Sequence, residues 1–314
     1  MHRVLVLGVP RSGTTWIGQA LGRTRGAVYV PEPDGVTDPF AFRAQVRDGL
    51  THYPVLRPDD RAPELARLWD GAFAGGRRAG TVRDKLARRV YQHVGESDRV
   101  KVRSGAAMTF PMRVTALTAV PRVADPSARA VVVKSVNGAL AADWISEGWK
   151  PRVLVVHRDL RNVIASWLSL GFGGTIPPVY ATAVREASRR WDVALREYDD
   201  PMMRSIAFCV VMTLALYDGL REHSEWCALS HEEACADSAS RLAAAASALR
   251  LEWTDEAERF VRASDRPGEG YATTRVASDL PDQWKRRLTS EQVASITSVL
   301  HEFPDELWRV REHN

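Results

Sequence analysis

VLVLGVPRSGTTWIGQAL, Val4 to Leu21, decides the fold. Four apolar residues lead into Gly8, Pro10 and Gly13, and an apolar-periodic run follows. That order predicts a strand, a tight loop and a helix. Gly8 and Gly13 let the backbone turn back on itself. Ser12, Gly13, Thr14 and Thr15 then present N–H groups at a helix N-terminus, where the macrodipole favours an anion. Three hydroxyls add donors and Arg11 adds a fixed positive charge, so the stretch reads as a phosphate cradle. A nucleoside-triphosphate loop needs G-x-x-x-x-G-K-[ST]. The Gly8 to Gly13 frame is in place, but Thr14 stands where the lysine belongs. The grip on a β/γ-phosphate and the usual Mg²⁺ arrangement are weakened accordingly. The plain alternative is a glycine-containing strand–helix corner with no ligand.

Working outward, Ala27–Val30 predicts a second strand that runs into Pro31-Glu32-Pro33-Asp34. Two prolines forbid helix around Glu32 and hold its carboxylate at the carboxyl end of a strand, the edge where open parallel sheets bind ligands. Ala130–Ser135 (AVVVKS) predicts a strand covered on both faces, with Lys134 at its end. A lysine there needs an anion nearby, because an unpaired buried charge is expensive. Arg152–His157 (RVLVVH) predicts a fourth strand, followed by Arg158-Asp159-Leu160-Arg161-Asn162 and a helix over 163–170. Arg158 offers a planar, permanently charged fork suited to phosphate oxygens, and Ser166 lies about two helical turns on.

PRSGTTW resembles the loop of sulfotransferases that use 3′-phosphoadenosine 5′-phosphosulfate (PAPS), where it binds the 5′-phosphosulfate. Arg11, where the cytosolic branch usually carries lysine, is similar to bacterial and carbohydrate-directed members. The Arg158/Ser166 spacing is the second point of resemblance, since that pair binds the 3′-phosphate in the family. The resemblance covers most of the chain outside residues 35–128. It implies a single α/β domain over 1–314, with a central parallel sheet flanked by helices and a P-loop-like nucleotide site. It also implies sulfonate transfer from PAPS to a hydroxyl, or less readily an amine, with PAP as product and no metal. Arg11, Ser12, Gly13, Thr14, Thr15, Trp16, Arg158 and Ser166 would bind the co-substrate. Arg275 would close over it from a C-terminal loop, although the familiar arginine-lysine-glycine form is absent. Glu32 would act as base, since the family's other branch has a histidine after the Lys134 position and this chain has Ser135-Val136. Arg11 and Lys134 would stabilise charge on the transferring group.

The remainder of the chain sets bounds. Its 314 residues, 45% hydrophobic and 26% charged, suit a globular protein with a full core. Net charge is +4, and it is uneven: +1 over 1–39, +8 over 40–130 and −5 over 131–314. Residues 35–128, rich in proline and glycine, are expected to be an irregular, basic insertion that binds the acceptor. Its helical stretches are Ala62–Trp69 and Asp84–Val94, and His52, His93 and Arg103 are weak candidates within it. The acceptor is expected to be a small molecule, glycolipid or carbohydrate, and an anionic one fits the basic segment. Cys209, Cys227 and Cys235 read as reduced thiols. Met1-His2-Arg3 leads straight into the first strand, and the apolar run Ile206 to Tyr217 is too short for a bilayer. A cytoplasmic protein without a transmembrane segment is therefore expected. No metal-ligand spacing and no nucleic-acid module is evident. Helices are expected over 139–149, 180–198, 205–221 and 238–250, with a strand over 226–231. Thr289 to Gln292 should cap a final helix. Two other classes fit parts of the pattern: a P-loop kinase, and a non-catalytic nucleotide- or polyanion-binding protein.

Overall fold

A computed structural model of the chain describes residues 1–76, 79–95, 98, 99, 102, 107–170, 177–265 and 282–309, with the backbone alone for 177–179. Along the chain run β1 (His2–Leu7), α1 (Thr14–Leu21), β2 (Ala27–Pro31), α2 (Pro39–Arg47), α3 (Pro63–Phe73), α4 (Val82–Tyr91) and α5 (Phe110–Thr118). Next come β3 (Ala130–Ser135), α6 (Ala142–Trp149), β4 (Arg152–His157), α7 (Leu160–Ser169), α8 (Pro177–Trp191), α9 (Pro201–Glu222) and β5 (Cys227–Ser230). The chain ends through α10 (His231–Ala236), α11 (Ser238–Ala248), α12 (Asp255–Ser264), α13 (Gln283–Arg287) and α14 (Ser290–Leu300).

The five strands form one parallel sheet in the order β2-β3-β1-β4-β5. Alternate side chains enter different cores. Leu5, Leu7, Val131, Val133, Val153 and Val155 meet the apolar faces of α3, α6, α7 and α9. Val4, Val6, Val132, Leu154 and Val156 meet α1, α11 and α12. Burial on both faces is why these strands read as unbroken apolar runs. Leu7 pairs with Ser135 on one side, so β1 and β3 end level, and with Val155 on the other, so β4 runs two residues further. From β1 the chain crosses through α1 toward β2, and from β4 it crosses through α7 to α9 toward β5, on the opposite layer. The β1/β4 junction is therefore the topological switch point, where doubly wound sheets open a crevice.

Residues 35–128 are more helical than their composition suggests. Three of the segment's prolines start helices, as Pro201 does later in the chain. Pro39, Pro63, Pro111 and Pro201 all stand at the first or second position of a helix, where the missing N–H costs nothing and φ is already set. Asp38 caps α2 by accepting from the Phe40 and Ala41 N–H groups at 2.9 and 3.3 Å. The expected 180–198 helix ends at Trp191, because Asp192 turns into the left-handed region; Leu195 and Tyr198 lie beyond it. The Thr289/Gln292 capping box is present. The apolar run at 206–217 belongs to a 22-residue helix, α9, long and apolar enough by length and composition to cross a membrane. Its most apolar window is 78% buried inside the molecule, against the sheet and its neighbours. All three cysteines are free thiols.

Candidate functional site

The loop after β1 is built around two close approaches. A Cβ on Gly8 would stand 2.4 Å from Ser12 Oγ and 2.6 Å from the Val156 carbonyl oxygen. Gly13 holds φ +94°, and a Cβ there would strike His231 at 2.1 Å. Only glycine fits either position. Gly13 is also the N-cap of α1, so no side chain caps that helix. Its first-turn N–H groups point into the loop, as an anion site requires.

Three residues from opposite sides of the switch point join here. Arg158, just past β4, donates to the Arg11 carbonyl at 3.0 Å. Arg11 Nε donates to Ser166 Oγ at 2.9 Å. Trp167 Nε1 donates to the Pro10 carbonyl at 2.8 Å. The structure thus brings Arg158, Ser166 and Arg11 together by clamping α7 over the loop. Arg11 sits at φ +74°, a left-handed conformation that a non-glycine residue adopts at a cost.

The loop leaves buried polar atoms without protein partners among the described residues. Ser12 Oγ, Arg158 Nε and Trp16 Nε1 are all of this kind. An unsatisfied buried polar group costs about 1–3 kcal/mol, so this set fits an oxyanion ligand. Burial lowers the Arg158 pKa, Glu232 opposes the change, and Arg11 and Arg287 push further down. Thr14, at the position a nucleoside-triphosphate loop gives to lysine, is only 2% exposed and turns its methyl toward Gly8. Trp16 meets His231 edge-on at 6.3 Å. His231 itself is held down to about 3 by burial and by Arg158, so it is neutral at ordinary pH and packs as a wall.

A second cluster lies two strands away. Lys134, 2% exposed, forms a short ion pair with Glu32, whose side chain is 41% exposed. The buried partner is therefore the cation, and the accessible one is the carboxylate. The Glu32 N–H donates to the Lys134 carbonyl at 2.7 Å, continuing the β2–β3 ladder into the turn. Glu32 holds φ +37°, again left-handed for a non-glycine residue.

Asp34 is a site residue that the sequence did not disclose. It is 1% exposed, and its Oδ2 accepts from Ser135 Oγ at 2.6 Å. Its Oδ1 has no partner among the described residues. Ser135 in turn accepts from the Asn137 and Gly138 N–H groups at 3.1 and 3.0 Å. Burial raises the Asp34 pKa to about 6; Ser135 opposes this, Glu32 adds to it, and Lys134 opposes it. In P-E-P-D-G, Asp34 looks like an ordinary turn residue, and nothing local signals its burial.

Arg275 and Arg103 lie outside the described residues. His52 is half-buried and rests edge-on against Tyr53, and His93 is exposed and bonds the Arg89 carbonyl; neither meets the cluster among the described contacts. The described C-terminal segment nevertheless returns to this edge. The Trp284 N–H donates to Asn162 Oδ1 at 3.1 Å, and Arg161 lies over the Trp284 ring at 4.1 Å. That contact carries Arg287 into the field of Arg158. Against the expectation of no metal-ligand cluster, Asp143, Glu222 and His223 offer three donor atoms within 4.8 Å. His223 already pairs there with Asp143 at 3.2 Å and with Glu225 at 3.6 Å.

No family model matches the chain, and no curated protein matches it. Among solved structures it is similar to the sulfotransferase domain of the olefin synthase from Synechococcus PCC 7002. That likeness has 14% identity and a TM-score of 0.45, over 97% of this chain and 96% of that one. It is similar to the sulfotransferase domain of the curacin biosynthetic pathway at 13% identity and a TM-score of 0.45, over 96% and 99%. A sulfotransferase from Mycobacterium tuberculosis H37Rv gives 14% identity and a TM-score of 0.43, over 96% of this chain and 76% of that one.

Proposed function

We propose that this chain is a PAPS-dependent sulfotransferase that sulfates a hydroxyl group. The observation that carries the reading is the hydrogen-bonded chain Arg158–Arg11–Ser166, closed over a glycine loop whose buried Ser12 Oγ and Arg158 Nε lack partners among the described residues. Two guanidinium groups and a helix N-terminus converge at the switch point, and an anion supplies what those orphaned donors need. Ser12, Gly13, Thr14, Thr15 and Trp16 would hold the 5′ end of the nucleotide. Arg158 and Ser166 would hold its 3′-phosphate, and Arg287 would add charge on that side.

When bound, PAPS supplies a sulfonate group that an acceptor oxygen can take, with PAP leaving. Glu32, at the accessible end of its ion pair, accepts the proton of the acceptor hydroxyl. Its left-handed turn and its bond to Lys134 fix where that carboxylate points. Lys134 lies beneath, buried, and offers its ammonium to charge developing on the transferred group as Glu32 becomes neutral. Arg11 cannot give up its proton and acts as an electrostatic clamp. Helix α4 borders the turn after Glu32 through the Tyr91 hydroxyl, which donates to the Val36 carbonyl at 3.0 Å. That neighbourhood supports reading α2 to α5 as the acceptor side.

Calorimetric titration with PAP, ATP and 5′-AMP, all without Mg²⁺, tests the reading. PAP should bind tightly, 5′-AMP weakly, and Arg158→Ala should abolish the difference. Preference for ATP, or indifference to the 3′-phosphate, would overturn it. Glu32→Gln should lower the turnover rate by about 10²–10⁴ with PAP binding intact; a near-normal rate would remove Glu32 from the role of base.

A further inference from the structure

We propose that the outer face of α4 and α5 is a peripheral docking surface for an anionic lipid bilayer. The two helices pack on each other, and their Ala87, Tyr91, Met112 and Ala116 are buried. Arg83 bonds the Leu117 carbonyl at 2.7 Å, which sets the start of α4 against the end of α5. Their outward positions repeat at helical spacing: 82, 86 and 89 on α4, and 110, 113 and 117 on α5. Val82 is 82% exposed, Phe110 79%, Leu117 65% and Leu86 44%. These are four of the six large hydrophobic side chains exposed among the described residues.

The charges on this face are of one sign. Arg83, Lys85, Arg89 and Arg113 are exposed, and none forms an ion pair with a described carboxylate. The only carboxylate on the two helices, Asp84, is buried and paired with Arg88 at 2.9 Å. Among the described residues of the two helices, apolar tips interleave with cations that have no ion-pair partner and no acid is exposed, the signature of an interfacial helix face. The aliphatic stems of arginine and lysine can lie with the apolar tips while their charges reach the headgroups. Each cation near an anionic leaflet strengthens binding about fivefold. A protein partner anchors its central residues in pockets. Here the exposed apolar side chains alternate with cations along two adjacent helices, which suits lipid better. This docking does not depend on the reaction proposed above.

Vesicle flotation tests it with the full chain and no substrate. Vesicles with about 30% phosphatidylserine should carry the protein, pure phosphatidylcholine should not, and about 0.5 M salt should release it. Phe110→Ser with Leu117→Ser, at exposed positions where folding is unaffected, should weaken flotation at least about tenfold. Arg89→Glu with Arg113→Glu should abolish it. Failure to float with phosphatidylserine at low salt overturns the proposal. So does flotation indifferent to both double variants, which would place binding on another face. Retention on polyglutamate that depends on these residues, without flotation, would overturn it in favour of an acidic protein partner.

Discussion

Replacing Asp34 with asparagine should change how stability depends on pH by an amount the structure sets. The Asp34 carboxyl is buried, and its pKa rises from 3.8 to about 6. In the unfolded chain it titrates at its ordinary value, so between those two values the folded state binds the extra proton. Stability therefore falls as pH rises through this window. The contribution is fully present below pH 3.8 and is lost as pH passes about 6. A shift of this size corresponds to about 3 kcal/mol, of which about 2 kcal/mol should be lost between pH 4 and pH 7. Asparagine has no such dependence. Its carbonyl can keep the Ser135 bond, and its amide would occupy the place of the unpartnered Oδ1, at a cost of about 1–3 kcal/mol at every pH. That cost cancels when the two proteins are compared across pH. The assay is urea unfolding of wild type and Asp34→Asn from pH 4 to pH 7.5. The stability difference should move by about 2 kcal/mol in favour of the variant as pH rises. A difference that stays flat over that range would refute both the burial of the charge and the reasoning built on it.

Two further outcomes follow from the same edge of the sheet. Gly13→Ala forces a side chain into a left-handed turn and onto His231, and should destabilise the fold by about 1–3 kcal/mol while weakening PAP; thermal unfolding and calorimetry unchanged by the substitution would contradict that packing. Lys134→Met keeps the volume and removes the ammonium, and should lower turnover about 10²–10³-fold with PAP affinity nearly constant, so a variant that loses affinity instead would assign Lys134 to nucleotide binding.

The sheet was legible because its strands are buried on both faces. Ala130–Ser135 and Arg152–His157 are the same in the sequence pattern and in the structure, since continuous apolar runs ending in a charge admit few other readings. Within 35–128, α3 and α4 were legible from their periodicity, whereas α2 and α5 were obscured by proline, which marks a helix start as readily as a break; Asp38-Pro39 is a cap followed by a first turn. The loop, Arg158 and Ser166 could be paired through the family resemblance, but their link through Arg11 could not, because it depends on a backbone carbonyl turned by a positive φ. Asp34 was invisible for a related reason. Its burial comes from Ser135, about a hundred residues away in sequence, and a turn motif alone carries no trace of that contact.

Backbone strain separates structural features from the proposed site without reference to any ligand. Five non-glycine residues adopt positive φ among the described ones: Arg11, Glu32, Lys150, Asp192 and Arg250. Lys150, Asp192 and Arg250 each stand at or just past the end of a helix, α6, α8 and α11, where a left-handed residue satisfies the last carbonyls. Arg11 and Glu32 end no helix. They follow β1 and β2 at the carboxyl edge, where glycine would relieve the backbone strain of both turns. An arginine and a glutamate in those conformations are retained against the local preference, and each is held by a bond to a partner from another strand–helix unit: Arg11 to Ser166, Glu32 to Lys134. Strain of this kind persists where side-chain chemistry is needed at a fixed point. The edge also holds the buried Asp34 charge and the unpartnered Ser12 hydroxyl. The proposed chemistry would account for the concentration of these four costly features on one edge.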